Sequence, residues 1–329
     1  GKTALFLDDK GQVVKTLELG KGDGEGKCAV LKEKLYLAYR RYPVDAPRSV
    51  VVGGVLAYLD KSEYPGNTTL YVIDKNLTVL KSLYLPLPLT ALVADSSHIY
   101  LAGAYVSNDT LYWWIERRDE NLTVVKTTTI RPRVRYERSW PAYPEPKLIH
   151  VNNVTGRIWI SGFFIEPFYA LFGIFYTYIE VLNLTTLELL NEILRILELP
   201  VPLNVTILEL PAPLNVAYGY MWSLCNDEIG NTYATIFPFI RIYKFDSTGN
   251  MTWKTTDYDP HKVWCSGGMI YVIGEKVGNN KLIYVVSIYD TNLNLLDRYE
   301  VLTHIPLQMI AFGPVSKPAF DGFRLYLVP

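Results

Sequence analysis

Apolar residues along this chain fall in short runs or strict alternation of roughly four to eight residues, bounded by Asp, Asn, Gly and Pro. That pattern predicts β-strands from end to end. One stretch dissents: Leu187, Leu190, Leu194 and Leu197 stand at helical spacing. The surrounding pattern demands a strand there, and a strand is expected. Six segments share one plan, a strand, an Asp or Asn, a tight turn and a second strand: "LFLDDKGQVVKTLEL", "YVIDKNLTVLKSLYL", "WIERRDENLTVVKTTTI", "IEVLNLTTLELLNEI", "IYKFDSTGNMTWKTT" and "SIYDTNLNLLDRYEV". Their markers are Asp8, Asp74, Asp119, Asn183, Asp246 and Asp290.

A second element recurs between the markers, an apolar strand with an aromatic centre: "KLYLAY" at Lys34, "HIYLAG" at His98, "RIWISG" at Arg157, "MIYVIG" at Met269 and "RLYLVP" at Arg324. The fourth unit offers "NTYATIF" from Asn231 in its place. Four short strands per repeat of roughly 45–65 residues describe an antiparallel blade.

On these two elements the whole chain resembles a β-propeller of the secreted, six- to eight-bladed kind, without WD, kelch or NHL signatures. The resemblance implies an all-β, single-domain fold over residues 1–329: six blades of four antiparallel strands, a to d from the axis outward. The chain starts with a c–d hairpin (Thr3–Asp8 and Gln12–Leu19) and ends with a b-like strand, Phe323–Val328. The last blade is therefore expected to combine that N-terminal hairpin with C-terminal a and b strands, which satisfies otherwise open edges. The same hairpin could instead dock on a neighbouring molecule.

Four insertions interrupt the repeat, at 41–68, 131–146, 165–175 and 196–217. The first contains "SVVVGGVLAYLD", an expected extra hairpin. The last is a tandem duplication, "ILELPVPLNVT" followed by "ILELPAPLNVA", whose Leu-Pro-x-Pro-Leu core also occurs at Leu85–Leu89. Proline fixes an extended link and withholds donors a ladder would need. All four lie in b–c or d–a connections, which leave a propeller on one face, where function usually sits.

Composition sharpens the compartment rather than the fold. Apolar residues make up 49% of 329, enough for a large core, and 32 basic residues against 33 acids remove the electrostatic footprint of a nucleic-acid binder. The most apolar run, 158–182, is broken by Glu166, Pro167 and Glu180, so no transmembrane helix is expected. Eight Asn-X-Thr sequons stand at Asn67, Asn76, Asn108, Asn121, Asn153, Asn183, Asn204 and Asn250, far more than chance pairing supplies. Most fall at expected turns. They predict an exported, N-glycosylated, extracellular or cell-surface protein, and the opening Gly1 reads as a mature chain whose signal sequence was removed. Of three cysteines, Cys225 and Cys265 are a possible disulfide, with buried thiols the alternative. Sparse Gln, Cys and Met suggest a hyperthermophile, and with the sequons an archaeal surface protein.

Catalytic chemistry is not evident. His98, His150, His261 and His304 show no ligand spacing, and no metal, cofactor or nucleophile motif stands out. The glycine-rich Gly20–Lys27 segment reads as a d–a connector. The best partner-binding candidates are Arg131, Arg133, Arg135, Trp140 and Tyr143 in one insertion and Phe168, Tyr169, Phe172 and Phe175 in an apolar loop. The sequence therefore predicts a non-enzymatic structural or interaction protein, assembling with itself or with other surface proteins into a filament or layer. The alternative is a secreted propeller enzyme or binding protein acting on carbohydrate through the inserted face. A His–carboxylate set within reach of one ligand would favour that alternative.

Overall fold

The structure is a computed structural model. It describes the chain except residues 1, 8–11, 21–23, 42–49, 53–54, 58–65, 109, 133–144, 169–171, 198–220, 237–239, 279–280, 307–318, 321–324 and 327–329. All regular elements among the described residues are strands. An N-terminal hairpin pairs β1 (Lys2–Leu7) with β2 (Val13–Gly20). The first four-stranded sheet orders β3 (Gly24–Leu31), β4 (Lys34–Arg41), β7 (Asn67–Ile73) and β8 (Val79–Leu85), and a small hairpin of β5 (Val50–Val52) and β6 (Val55–Ala57) interrupts it. The second contains β9 (Ala91–Ala94), β10 (Ile99–Ser107), β11 (Thr110–Arg118) and β12 (Val124–Ile130). The third contains β13 (Pro146–Asn152), β14 (Arg157–Phe168), β15 (Phe172–Asn183) and β16 (Leu189–Leu197). The fourth contains β17 (Met221–Asn226), β18 (Thr232–Ile236), β19 (Arg241–Phe245) and β20 (Met251–Thr255). The fifth contains β21 (Asp259–Ser266), β22 (Met269–Gly278), β23 (Lys281–Asp290) and β24 (Leu295–Pro306). A last pair joins β25 (Ala319–Phe320) to β26 (Leu325–Tyr326).

Five successive antiparallel four-stranded meanders are the architecture of a β-propeller. Of the residues at helical spacing, Leu190, Leu194 and Leu197 lie in strand β16 and Leu187 in the turn before it; the expected extra hairpin is β5–β6, and "NTYATIF" supplies β18. Two expectations change. Gly24–Lys27 belongs to strand β3, so the connector ends sooner than its glycines suggested. The apolar segment 165–175 is mostly strand, because Phe168 ends β14 and Phe172 opens β15.

Two compact units can be distinguished: Gly1–Val151 with Ile158–Gly173 and Tyr178–Ile193, and Asn152–Arg157 with Ile174–Thr177 and Leu194–Pro329. In the first unit, Tyr36, Leu70, Leu101 and Trp114 pack in one cluster, and Tyr100, Trp113, Ile115, Ile158 and Ile160 in another. In the second, Tyr233, Ile242, Tyr258, Val272, Val285 and Tyr289 form the core. Each cluster draws on two consecutive sheets, so burial of apolar side chains between sheet faces holds neighbours together.

The markers explain the turns. Asp74, Asp119, Asp246 and Asp290 each accept, through Oδ1, the backbone N–H four residues on, at 2.7, 2.8, 2.9 and 2.8 Å. The residue three after each marker is left-handed: Leu77, Leu122 and Leu293 at φ of 61°, 66° and 64°, with Gly249 at 98°. Leucine is a poor residue for that conformation. Leu122 and Leu293 are buried there, so packing offsets the backbone strain. Polar side chains then reach from one sheet to the next turn. Lys81 donates to the Asn121 carbonyl, Tyr36 to that of Glu120, Arg117 to that of Leu184, and Tyr233 to that of Thr291.

Candidate functional site

The last residue of the b-strand repeat, a glycine in three sheets, fixes where its own sheet's inner strand begins. A Cβ on Gly103 would lie 2.0 Å from the Pro88 carbonyl oxygen, one on Gly162 2.7 Å from that of Glu145, and one on Gly274 2.0 Å from that of Asp259. Pro88, Glu145 and Asp259 thus hold equivalent places, where a d–a connection enters an inner strand. In the third and fifth sheets that place carries a carboxyl group, followed two residues later by a basic side chain, Lys147 or His261.

The two carboxyl groups live in opposite environments. Glu145 is buried, ion-paired to the buried Arg40 at 3.1 Å and to Lys147. Burial pushes its carboxyl up, but the cations Lys147 and Arg40 outweigh that and hold it below the usual range. Asp259 pairs across the β21–β22 ladder with Glu275, another acid on the same sheet face. Its Oδ1 is buried and accepts no hydrogen bond among the described residues. Burial, partly countered by His261 and reinforced by Glu275, pushes Asp259 up to about 6. His261 Nε2 lies 3.3 Å from Glu275 Oε1. The His261 backbone carbonyl accepts a bond from Thr235 at 3.0 Å, which ties this part of β21 to β18.

Asp259, His261 and Glu275 therefore place a carboxyl group that stays protonated into mildly acidic solution near a second carboxyl side chain and an imidazole. A carboxyl group whose proton affinity is raised by burial is suited to an acid role. Among the described residues no cluster of three or more His, Cys, Asp or Glu is placed to hold a metal ion. The trio escaped the sequence reading because Asp259 and Glu275 lie 16 residues apart (275 minus 259) and only strand pairing joins them. The available signal was an acid directly after the glycine of "MIYVIG" and another opening the preceding strand.

The residues expected from sequence are scattered. Arg131 follows β12 and is exposed. Arg133, Arg135, Trp140, Tyr143 and Tyr169 lie outside the described residues, as does Asn204. Phe168, Phe172 and Phe175 lie in β14 and β15. Asn76 and Asn121 sit exposed in c–d turns, Asn250 in the equivalent turn of the fourth sheet, Asn153 exposed in an a–b turn, and Asn108 exposed at the tip of the β10–β11 hairpin. Asn67 opens β7 and Asn183 closes β15. Cys225 and Cys265 are joined as a disulfide between the inner strands β17 and β21, with Cα atoms 5.6 Å apart, while Cys28 is free. His98 is held at an a–b turn, its N–H donated to Asp95 and its Nδ1 2.7 Å from Ser97 Oγ.

No protein-family model and no curated protein sequence matches the chain. Among solved structures, a catalytically inactive virginiamycin B lyase from Staphylococcus aureus is similar at 12% identity, over 94% of this chain and 93% of that one, with a TM-score of 0.42. A streptogramin B lyase is 11% identical over 88% and 86%, with a TM-score of 0.43. A subtype N10 neuraminidase-like protein of A/little yellow-shouldered bat/Guatemala/060/2010 is 8% identical over 91% and 86%, with a TM-score of 0.42. These similarities are too distant to decide an activity. The expectation of a filament- or layer-forming structural protein is nevertheless corrected: neither the described residues nor the comparisons give it any support. They likewise lend no support to the archaeal origin expected from composition.

Proposed function

We propose that this chain is an exported β-propeller that binds or processes carbohydrate at the end of its sheets where the d–a and b–c connections emerge. The observation that carries this reading is the Asp259–His261–Glu275 set on paired strands β21 and β22. In it, Asp259 donates a proton to a leaving or bridging oxygen. Glu275, held by His261, is the base or the charge that stabilises a developing cation on the sugar. Export is supported by the Cys225–Cys265 disulfide, which persists in oxidising compartments, and by the eight sequons.

The reading counts the β1–β2 hairpin as part of a further blade beside the first sheet. Its support is a recurring kind of contact: Lys15, third in β2, donates to the Leu77 carbonyl in the first sheet's c–d turn, and Lys81, third in β8, to the Asn121 carbonyl in the second's. The hairpin thus meets the first sheet as the first sheet's outer strand meets the second.

The test is a panel of polysaccharides offered to the purified protein and to Asp259→Asn and Glu275→Gln, with reducing-end release and calorimetric binding as readouts. Wild-type protein should bind or cleave one class, and each variant should lose about a hundredfold or more in turnover. A protein that engages no saccharide, or variants as active as wild type, would sink the reading.

A further inference from the structure

Sequons in the c–d turns look alike in sequence, but the folded turns treat their amide nitrogens differently. In the turns opened by Asp74 and Asp119, the sequon Asn is the third turn residue. Asn76 and Asn121 are exposed there, and their side-chain amides make no hydrogen bond among the described residues. Their threonines, Thr78 and Thr123, are exposed as well. In the turn opened by Asp246, the sequon Asn is the fifth residue. Asn250 Nδ2 donates to Asp246 Oδ2 at 3.0 Å and to Thr248 Oγ1 at 2.9 Å, so both its protons are engaged. Asn294, which occupies the same turn position without a sequon, donates to Asp290 Oδ2 at 2.8 Å. The Asn250 contact is therefore a property of that position in the turn rather than an accident of one side chain.

N-glycosylation breaks the bond between a sugar C1 and the pyrophosphate oxygen of a lipid carrier, forms a C1–Nδ2 bond and releases one Nδ2 proton, with the lipid pyrophosphate leaving with the electron pair. An acceptor amide must present a free N–H to that sugar. Asn76 and Asn121 do so without disturbing their turns, whereas Asn250 must give up at least one of two hydrogen bonds that close its turn.

We propose that the folded protein sorts its turn sequons: Asn76 and Asn121 are glycan acceptors, and Asn250 is a sequon that the Asp246 turn keeps unmodified. This rests on the export reading for its biological setting, but its test does not. The folded protein would be incubated with a single-subunit oligosaccharyltransferase that accepts Asn-X-Thr and a lipid-linked oligosaccharide, and each site followed by glycopeptide mass spectrometry. Asn76 and Asn121 should be modified about tenfold or more faster than Asn250. The urea-unfolded chain should lose that ranking, and Asp246→Ala or the milder Thr248→Ala should raise transfer to Asn250 while circular dichroism confirms the fold. Equal rates at all three sites in the folded protein would overturn the proposal. So would a ranking that survives unfolding, since local sequence and not the turn would then set it. Glycan-free protein from its native source would count against export and leave the ranking untouched.

Discussion

The carbonyl oxygen of Asp259 lies 2.0 Å from the point where a Cβ on Gly274 would fall, with the Tyr258 ring at 2.6 Å. The glycine therefore lets the entry of β21 lie against β22, and the candidate acid depends on it. Gly274→Ala is expected to push Asp259 away and destabilise the protein by about 1–3 kcal/mol. Denaturant melts would measure the loss. Gly156→Ala makes a contrasting control: its φ of 62° strains any side chain, yet nothing lies within 4 Å of its Cβ.

Asp259 carries a pH signature. Its folded value, about 6, lies above the 3.8 of an unperturbed side chain. The folded state thus keeps a proton that the unfolded chain releases. The stability this confers is full below about pH 4 and is lost as pH rises through 6, on the order of 3 kcal/mol. Melting temperature should fall across that window in wild type, and the corresponding slope should be absent in Asp259→Asn. Equal slopes would place the titration elsewhere.

Glu145 should behave with the opposite sign. Its carboxyl is held below the usual 4.5 in the fold, so its contribution is present above that value and is lost as pH falls toward the folded value. Glu145→Gln removes the buried carboxylate from its ion pairs with Arg40 and Lys147. A loss of about 3 kcal/mol at neutral pH is expected, as for the breaking of a buried pair. The gap to wild type should shrink in acid, which urea titrations at two pH values would show.

The Cys225–Cys265 bridge closes a loop of 40 residues between two inner strands. Chain-entropy arguments give such a loop about 4 kcal/mol. Cys225→Ser, or reduction with dithiothreitol, should lower the calorimetric melting temperature by a matching amount. Cys28→Ser, at an exposed free thiol, should leave it unchanged.

Strand-forming periodicity, the Asp-marked turns and the glycine of "IYVIG" were legible in the sequence because each is a local demand. A two-residue alternation exposes or buries a face, a side-chain carboxylate closes a turn, and a missing Cβ admits a backbone. These determined that the chain builds repeated antiparallel sheets. Tertiary structure alone decided the rest. Asp259 and Glu275 meet only when β21 pairs with β22, and Glu145 meets Arg40 only across 105 residues of chain. Equivalent acids in the third and fifth sheets then acquire opposite proton affinities, because burial and neighbouring charge, not residue type, set the cost of ionisation.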